Sequence, residues 1–230
     1  MRYDHIRPAV FLSRPNRFIA EIEVNGIPTR AHVRNTGRCR ELLLPGSDIY
    51  VQEHLEQQSR KTAFSLISVK KGKRLINMDS QAPNAVWEEA LKTGFAVPDW
   101  GTAIVYRREV IFGESRLDFW VQGAFGEGYM EIKGVTLDED GVARFPDAPT
   151  ERGKKHLLEL TRAVSLGLHA AVVFIIQMQE IRHFEPNRRT DPAFSKALAD
   201  AERAGVNILA YSCSVTPDSL ILDQTVPVCL

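Results

Sequence analysis

SRLDFWVQGAFGEGYMEIKGV, residues 115–135, holds two apolar segments, Arg116–Gln122 and Tyr129–Val135, joined by the glycine-rich GAFGEG. Alternation on each side of the glycines predicts two strands and a hairpin loop. Side chains alternate faces along a strand, so Glu131 and Lys133 share one face and Ile132 takes the other. If the two strands pair, Asp118 converges on the same point. A charge inside an apolar strand is unfavourable unless it is paired or holds a cation. Two carboxylates and the Ile132 carbonyl would make a hard oxygen site for Mg²⁺ or Mn²⁺. Such an ion lowers the pKa of a bound water, and a neighbouring lysine can orient that water toward a phosphodiester. Asp118, Glu131 and Lys133 are therefore the candidate catalytic residues. Glu89, Asp118, Glu131 and Ile132 are the candidate metal ligands, Glu89 coming from the preceding helix with Glu88 beside it. The plainer alternative is a solvent-facing ion pair between Lys133 and either acid. An isolated Glu-x-Lys would favour that alternative; an in-strand Asp ahead of it favours the site.

Outward from this stretch, the pattern alternates helix and strand. Pro83-Asn84 opens a helix whose apolar stripe is Val86, Ala90 and Leu91, closed by Gly94. Ala103–Phe112 is a further strand. After the Glu-x-Lys strand, a helix runs from about Glu151 to Leu168 with Leu157, Leu160, Val164 and Leu168 on one face. Ala170–Gln177 is continuously apolar at first, as in a strand covered on both faces. A helix over Pro192–Ala204 and a strand over Asn207–Ser212 complete an α-β-β-β-α-β-α-β order, which implies parallel strands joined by right-handed crossovers.

The first 80 residues have a different texture. FIAEIEV (18–24) alternates, Asn25-Gly26 is a hairpin turn signal, and Ile27–Val33, Asp48–Glu53, Ala63–Lys70 and Arg74–Met78 follow as short strands. A small barrel results, and a five-stranded barrel of the oligonucleotide-binding (OB) type fits the length, though periodicity alone does not separate it from other small barrels. The expected fold is thus α/β in two domains: an OB-like barrel over residues 1–81 and a restriction-endonuclease-like α-β-β-β-α-β domain over residues 82–230.

The charge distribution supports this division. Overall 29 basic residues balance 29 acidic ones, yet residues 1–80 hold 14 Lys/Arg against 8 Asp/Glu. A basic front and an acidic back suggest parts with different tasks. Arginines bind phosphate oxygens bidentately, and Asn or His adds hydrogen bonds. Arg14, Asn16, Arg17, His32, Asn35 and Arg38 are the candidate DNA contacts of the barrel, against the alternative of a solvated loop with Arg–Glu pairs. Phe11 and Phe18 offer rings for base stacking or, more simply, for the core. Thr150 is a good N-cap, and the start of its helix carries Arg152, Lys154 and Lys155, candidate contacts for the scissile phosphate. His156 follows them, and a lone helical histidine is more often structural than catalytic.

Other classes are excluded. Gly123, Gly126 and Gly128 lie in a hairpin loop rather than a strand–turn–helix, which rules out dinucleotide binding. Ser115 lacks a Gly-x-Ser-x-Gly setting. Cys39, Cys213 and Cys229 form no CxxC pair, so neither a zinc site nor a disulfide framework is expected, and a reducing cytoplasm fits. MRYDHIRPAVFLSRPNRF has no apolar signal region, and Ala170–Ile176 is too short to span a membrane. No helix-turn-helix recognition helix is evident, so DNA contact is expected to be largely independent of sequence.

Helix Glu89, strand Asp118 and then Glu131-x-Lys133 is similar to the PD-(D/E)XK nuclease superfamily, in which these positions bind metal and activate water. Leu117 stands where that superfamily often has Pro. Five longer blocks, SRPNRF (13–18), HVRNTGRCRELLLPG (32–46), SRLDF (115–119), EIKGVTL (131–137) and FPDAPTERGKKHLLEL (145–160), resemble the sugar fermentation stimulation protein family, SfsA. Arg34 departs from a Pro common there. The resemblance implies an N-terminal OB-like domain, a nuclease-like C-terminal domain, DNA binding and a role in regulating sugar (maltose) metabolism. It does not imply that the nuclease-like centre cleaves. The expectation is a DNA-binding protein with a Mg²⁺-dependent (or Mn²⁺-dependent) phosphodiesterase site. The alternative is a non-catalytic DNA-binding regulator of sugar metabolism genes, and a third reading takes RNA or another phosphate polymer as substrate.

Overall fold

The computed structural model describes residues 1–35, 37, 39–55 and 62–230. Its first six strands are β1 (Ile6–Asn16), β2 (Ile19–Val24), β3 (Ile27–Val33), β4 (Asp48–Glu53), β5 (Phe64–Lys71) and β6 (Arg74–Asn77). β1 pairs antiparallel with both β2 and β4, and β2 pairs with β3. β4 pairs with β5, and a parallel β3–β5 pairing closes the cylinder. The closed order β1-β2-β3-β5-β4 is an OB-like barrel. Ala20, Ile22 and Val24, the alternate residues of the quoted strand, are buried inside it. Asn25 and Gly26 both have positive φ, 52° and 79°, which a two-residue turn matched to strand twist requires. β1 reaches both neighbours by irregularities at Phe11/Ser13 and Ser13/Asn16, which bend it around the barrel.

The second part contains α1 (Ala82–Lys92), β7 (Ala96–Val97), β8 (Gly101–Phe112), β9 (Ser115–Gly123), β10 (Gly126–Val135), β11 (Leu137–Glu139), β12 (Val142–Phe145), α2 (Glu151–Ser165), β13 (His169–Ile176), β14 (His183–Pro186), α3 (Pro192–Arg203), β15 (Asn207–Thr216) and β16 (Ser219–Thr225). Seven of the strands form a mixed sheet in the order β16-β15-β13-β10-β9-β8-β7. β10, β13 and β15 run parallel, as the helical crossovers demand. α1 covers one face, with Val86, Trp87 and Leu91 packed among Phe119, Met130, Ile132 and Val173. Leu157 and Leu160 of α2 and Phe194 and Leu198 of α3 pack on the other. β13 is buried from Ala170 to Ile176, which explains its continuous apolar run. β11, β12 and β14 make a separate three-stranded sheet at the side. Gly128 allows β10 to lie against β13, since a Cβ there would meet the His169 carbonyl oxygen at 1.9 Å. Among the described residues no helix is long and apolar enough to cross a membrane.

The two parts share one core. Phe11, Ile22 and Leu66 of the barrel belong to the same buried cluster as Phe174, Phe194 and Leu198. Residues at the start of the chain leave the barrel: Arg2 bridges to Ser219, and Tyr3 N donates to Asp218 O at 2.8 Å. A polar seam lies alongside. Gln177 Nε2 donates to Asn77 Oδ1 at 2.9 Å and to Asp79 O at 3.0 Å, and Asn77 Nδ2 donates to Tyr3 Oη at 3.1 Å. Asp138 of β11, its side chain 2% exposed, accepts from Arg74 at 2.7 Å, lies 3.5 Å from Lys71 Nζ, and also accepts from Gly141 N at 2.8 Å. Hydrogen bonds to charged groups are each worth about 1.5–3 kcal/mol. Asp138→Ala should therefore lower stability by about 2–3 kcal/mol in urea denaturation while unfolding stays a single transition. An unchanged midpoint would show that the apolar core alone holds the barrel in place.

Candidate active site

β9 and β10 part in the middle of the sheet. Their ladder runs from Gly123↔Gly126 to Phe119↔Met130 and stops, whereas β10 continues along β13 to Val135↔Ile176. On the other side of β9, Arg108↔Phe119 and Val110↔Leu117 are paired, while Glu109 between them has a φ of 55°. Asp118 sits at this gap. Its Oδ2 accepts from Ile132 N at 2.8 Å, so a side-chain carboxylate replaces the main-chain partner that β10 has lost. Its Oδ1 accepts from Asn84 Nδ2, on the first turn of α1, at 3.0 Å.

Glu131 and Lys133 share a face of β10, and Ile132 lies opposite in the core under α1. Glu131 is 3% exposed. Its Oε1 lies 2.5 Å from Lys133 Nζ and 2.5 Å from Nδ1 of His156, which projects from α2. Its Oε2 is buried and has no hydrogen-bond partner. The two acids are therefore in opposite electrostatic states. Burial, and then the nearby Glu131 charge, push the Asp118 carboxyl above the ordinary aspartate range; the Ile132 and Asn84 donors offset this only in part. Burial would raise Glu131 too, but His156 and Lys133 outweigh it and hold its carboxyl below the usual range.

Two neighbouring carboxylates that repel each other, one of them buried with an unpartnered oxygen, fit a hard divalent cation. No group of three or more His, Cys, Asp or Glu side chains poised to hold a metal occurs among the described residues. Mg²⁺ is commonly held by one or two carboxylates, with water and phosphate completing the shell. Asp118 and Glu131 Oε2 are the groups that would hold it. Of Ile132, the geometry places the N–H, rather than the carbonyl, against Asp118.

Glu89 does not join the cluster. Its side chain is 55% exposed and accepts from the Met1 amino group at 2.6 Å. The buried stripe of α1, Ala82, Pro83, Val86, Trp87, Ala90 and Leu91, fixes the helix's rotation and leaves Glu89 outside. Glu88 is engaged elsewhere, with Tyr106 Oη at 3.0 Å, Arg108 at 2.7 Å and Lys92 at 3.0 Å. The residue of α1 that reaches Asp118 is Asn84, a neutral amide that no search for acids would find.

The expected DNA contacts also divide. Arg14 donates to the carbonyls of Gly37, Arg17 and Asn35 at 2.8–2.9 Å, stitching β1 to the segment after β3. Asn16 Oδ1 accepts from Phe18 N and Ile19 N and caps the β1–β2 turn. Asn35 Oδ1 accepts from Gly37 N at 2.7 Å, and His32 is half-buried on β3. Arg38 and Thr36 lie outside the described residues. Arg17 is exposed, with its guanidinium 4.7 Å from the Phe18 ring centre. Phe18 is 45% exposed, whereas Phe11 is buried in the barrel. Thr150 caps α2 by accepting from Gly153 N at 3.0 Å. Beyond it, Arg152 Nε lies 3.4 Å from His156 Nε2, Lys154 pairs with Glu151 at 2.6 Å, and Lys155 pairs with Glu114 at 3.3 Å. His156 is the member that sequence reasoning underrated. Its signal was there: Gly153, His156, Leu157, Leu160 and Ala163 form one buried helical stripe.

Comparison with known proteins covers the whole chain. A family model described as the sugar fermentation stimulation protein RE domain matches residues 81–219, and one described as the SfsA N-terminal OB domain matches residues 12–78. A sugar fermentation stimulation protein homolog of Desulfitobacterium hafniense (strain DSM 10664 / DCB-2) is 52% identical over 220 residues, covering 96% of this chain and 94% of that one. The homolog of Clostridium beijerinckii is 45% identical over 230 residues, covering 100% of each. The structure of Pyrococcus furiosus SfsA in complex with Ca²⁺ superposes with a TM-score of 0.89 at 28% identity, covering 100% of this chain and 98% of that one.

The strain between the two acids is measurable without any substrate. Asp118 has a raised pKa in the fold, so the unfolded chain releases this proton first. Stability is lost as pH rises from the ordinary aspartate range through the raised value. Asp118→Asn, with the Asn84 amide turned to accept, should abolish that loss. In metal chelator at pH 7–8 it should raise the melting temperature. A lower melting temperature for Asp118→Asn would contradict the repulsion.

Proposed function

This chain belongs to the sugar fermentation stimulation protein (SfsA) family, and on that premise we propose that it binds DNA and hydrolyses its phosphodiester bonds with a divalent cation, Mg²⁺ or Mn²⁺, held by Asp118 and Glu131. One observation carries this reading: the Asp118–Glu131–Lys133 set, in which the buried Glu131 keeps an unpartnered oxygen. The Pyrococcus furiosus relative was solved with Ca²⁺, which seeks the same kind of oxygen donors, and this supports a hard-cation site. A bound cation would supply Lewis acidity toward a phosphate oxygen and a water of lowered pKa. Asn84 and the Ile132 N–H hold the Asp118 carboxylate in a fixed orientation. Lys133 Nζ, 2.5 Å from Glu131 in the closed pair, is the cation that touches the centre on the strand itself. Released from Glu131, it donates to the attacking water and neutralises charge building on the phosphate.

The substrate-holding part of the proposal rests on exposed groups. Phe18 with Arg17 over its ring makes a stacking platform on the barrel that tolerates any base. Lys154 and Lys155 are paired with exposed acids, and such surface pairs are worth about 1 kcal/mol or less, so they exchange readily for phosphate. Neither arrangement reads bases, which fits contact with DNA largely independent of sequence. We also propose a cytoplasmic location, supported by three free cysteines.

Purified protein should cleave DNA with Mg²⁺ or Mn²⁺ and not with chelator. Lys133→Ala should slow cleavage by about 100-fold or more while leaving DNA affinity intact. Cleavage surviving both Lys133→Ala and Asp118→Ala would sink the assignment. Binding without any cleavage would leave the family's regulatory reading, a DNA-binding protein acting on sugar metabolism genes, in its place. Preferential cleavage of RNA in competition would reassign the substrate.

Phe18→Ala should weaken single-stranded DNA binding by about 5-fold or more, taking base stacking at about 1–3 kcal/mol. Arg17→Ala should reduce the salt dependence of binding by about one counterion. Equal affinity and salt slope in both variants would remove the platform from the binding surface.

A further inference from the structure

The phosphodiester chemistry leaves the buried imidazole beside Glu131 unused. His156 is 4% exposed and approaches the same Glu131 oxygen as Lys133, with Nδ1 at 2.5 Å. On its other side, Nε2 lies 3.4 Å from Arg152 Nε. A guanidinium has only donors, so Nε2 is the accepting nitrogen and the ring proton belongs on Nδ1, facing the carboxylate. The Nδ1–Oε1 approach is short but bent, and neither Nδ1 nor Glu131 Oε2 has an in-line partner. Such contacts are often poorly aligned until the site is occupied.

The backbone that carries His156 has little room to move. Thr150 caps α2 on Gly153, and Thr150 N itself donates to Asp191 Oδ2 at 2.9 Å. At Gly153 a Cβ would lie 2.8 Å from the Thr150 side chain and 3.1 Å from the Phe194 ring, so helix and cap are pressed together. Leu157 and Leu160 anchor the same face in the core. The imidazole is thus presented to Glu131 from a rigid base.

We infer that His156 is a positioning residue, its tautomer set by Arg152, which holds Glu131 by Oε1 so that Oε2 stays open to the divalent cation. The inference rests on the cation site of the proposed function and assigns its supporting shell. Groups of this kind behind a metal ligand typically matter by about 10–100-fold in affinity. A histidine that merely filled space would be replaceable by any side chain of similar size, whereas this role needs a donor at the place of Nδ1.

Calorimetric titration of Mn²⁺ into wild type and variants, without DNA, tests this directly. His156→Ala should bind Mn²⁺ about 10-fold or more weakly. His156→Asn puts an amide donor near the Nδ1 position and should recover most of the affinity. His156→Gln reaches the Nε2 position instead and should not. Arg152→Ala should fall between wild type and His156→Ala. Should His156→Ala fail to fold, the Asn and Gln variants decide between them. Equal Mn²⁺ affinity in the Asn and Gln variants, or wild-type affinity in a folded His156→Ala, would overturn the positioning role while leaving the cation site standing. Failure of the wild type to bind Mn²⁺ would overturn the cation site itself.

Discussion

Beyond Met130, β10 loses its antiparallel neighbour, and the main-chain N–H of Ile132 is met by the Asp118 carboxylate instead. A central strand does not leave an N–H unmatched without a penalty of a lost hydrogen bond. Asp118 is therefore structural and chemical at once: the group that repairs the sheet is also the group that brings a negative charge beside Glu131. Parting of the strands is what lets side chains, rather than backbone, occupy the middle of the sheet. Had β9 continued its ladder past Phe119, main chain would fill the space that the two carboxylates now share.

The rest of the site follows from that arrangement. Glu131 is kept ionised in a buried place by Lys133 and His156, both acting on one oxygen. Asp118 carries the opposing burden, burial next to that charge. Natural sites commonly accept such local strain where function requires it. The remainder of the protein is built to hold it still. α1 delivers Asn84 and α2 delivers His156 from opposite faces of the sheet, and the barrel shares its core with the α2–α3 face rather than swinging on a linker.

Much of this was legible in the sequence, and the parts that were not share a physical reason. FIAEIEV with Asn25-Gly26 revealed a hairpin because period-2 alternation and a positive-φ turn are local properties. Asp118, Glu131 and Lys133 were visible because a charge in an apolar strand is conspicuous in one dimension. β1 was harder: Pro8 and Pro15 disguise an eleven-residue strand, Pro8 lying ahead of the β2 ladder that begins at Val10 and Pro15 in its break between Ser13 and Asn16. β16 and the small β11-β12-β14 sheet show no clear local period, and only their tertiary pairings define them. Glu89 was an expectation from charge, whereas the rotation of α1 is set by Trp87 and Val86, which place Asn84 at the site. Arg14 read as a phosphate contact, since nothing local reveals that its guanidinium is taken by three carbonyls. Membership of the SfsA family agrees with the barrel and the mixed sheet in order along the chain.

The central claim is that Asp118 and Glu131 together hold a divalent cation. Crystals of the protein soaked in Mn²⁺ and measured at a wavelength giving strong manganese anomalous scattering test it most directly. The account predicts an anomalous peak within coordination distance of Glu131 Oε2 and an Asp118 oxygen, with Lys133 moved off Glu131. An empty site with Glu131 still closed on Lys133 and His156, or manganese bound only elsewhere, would contradict it.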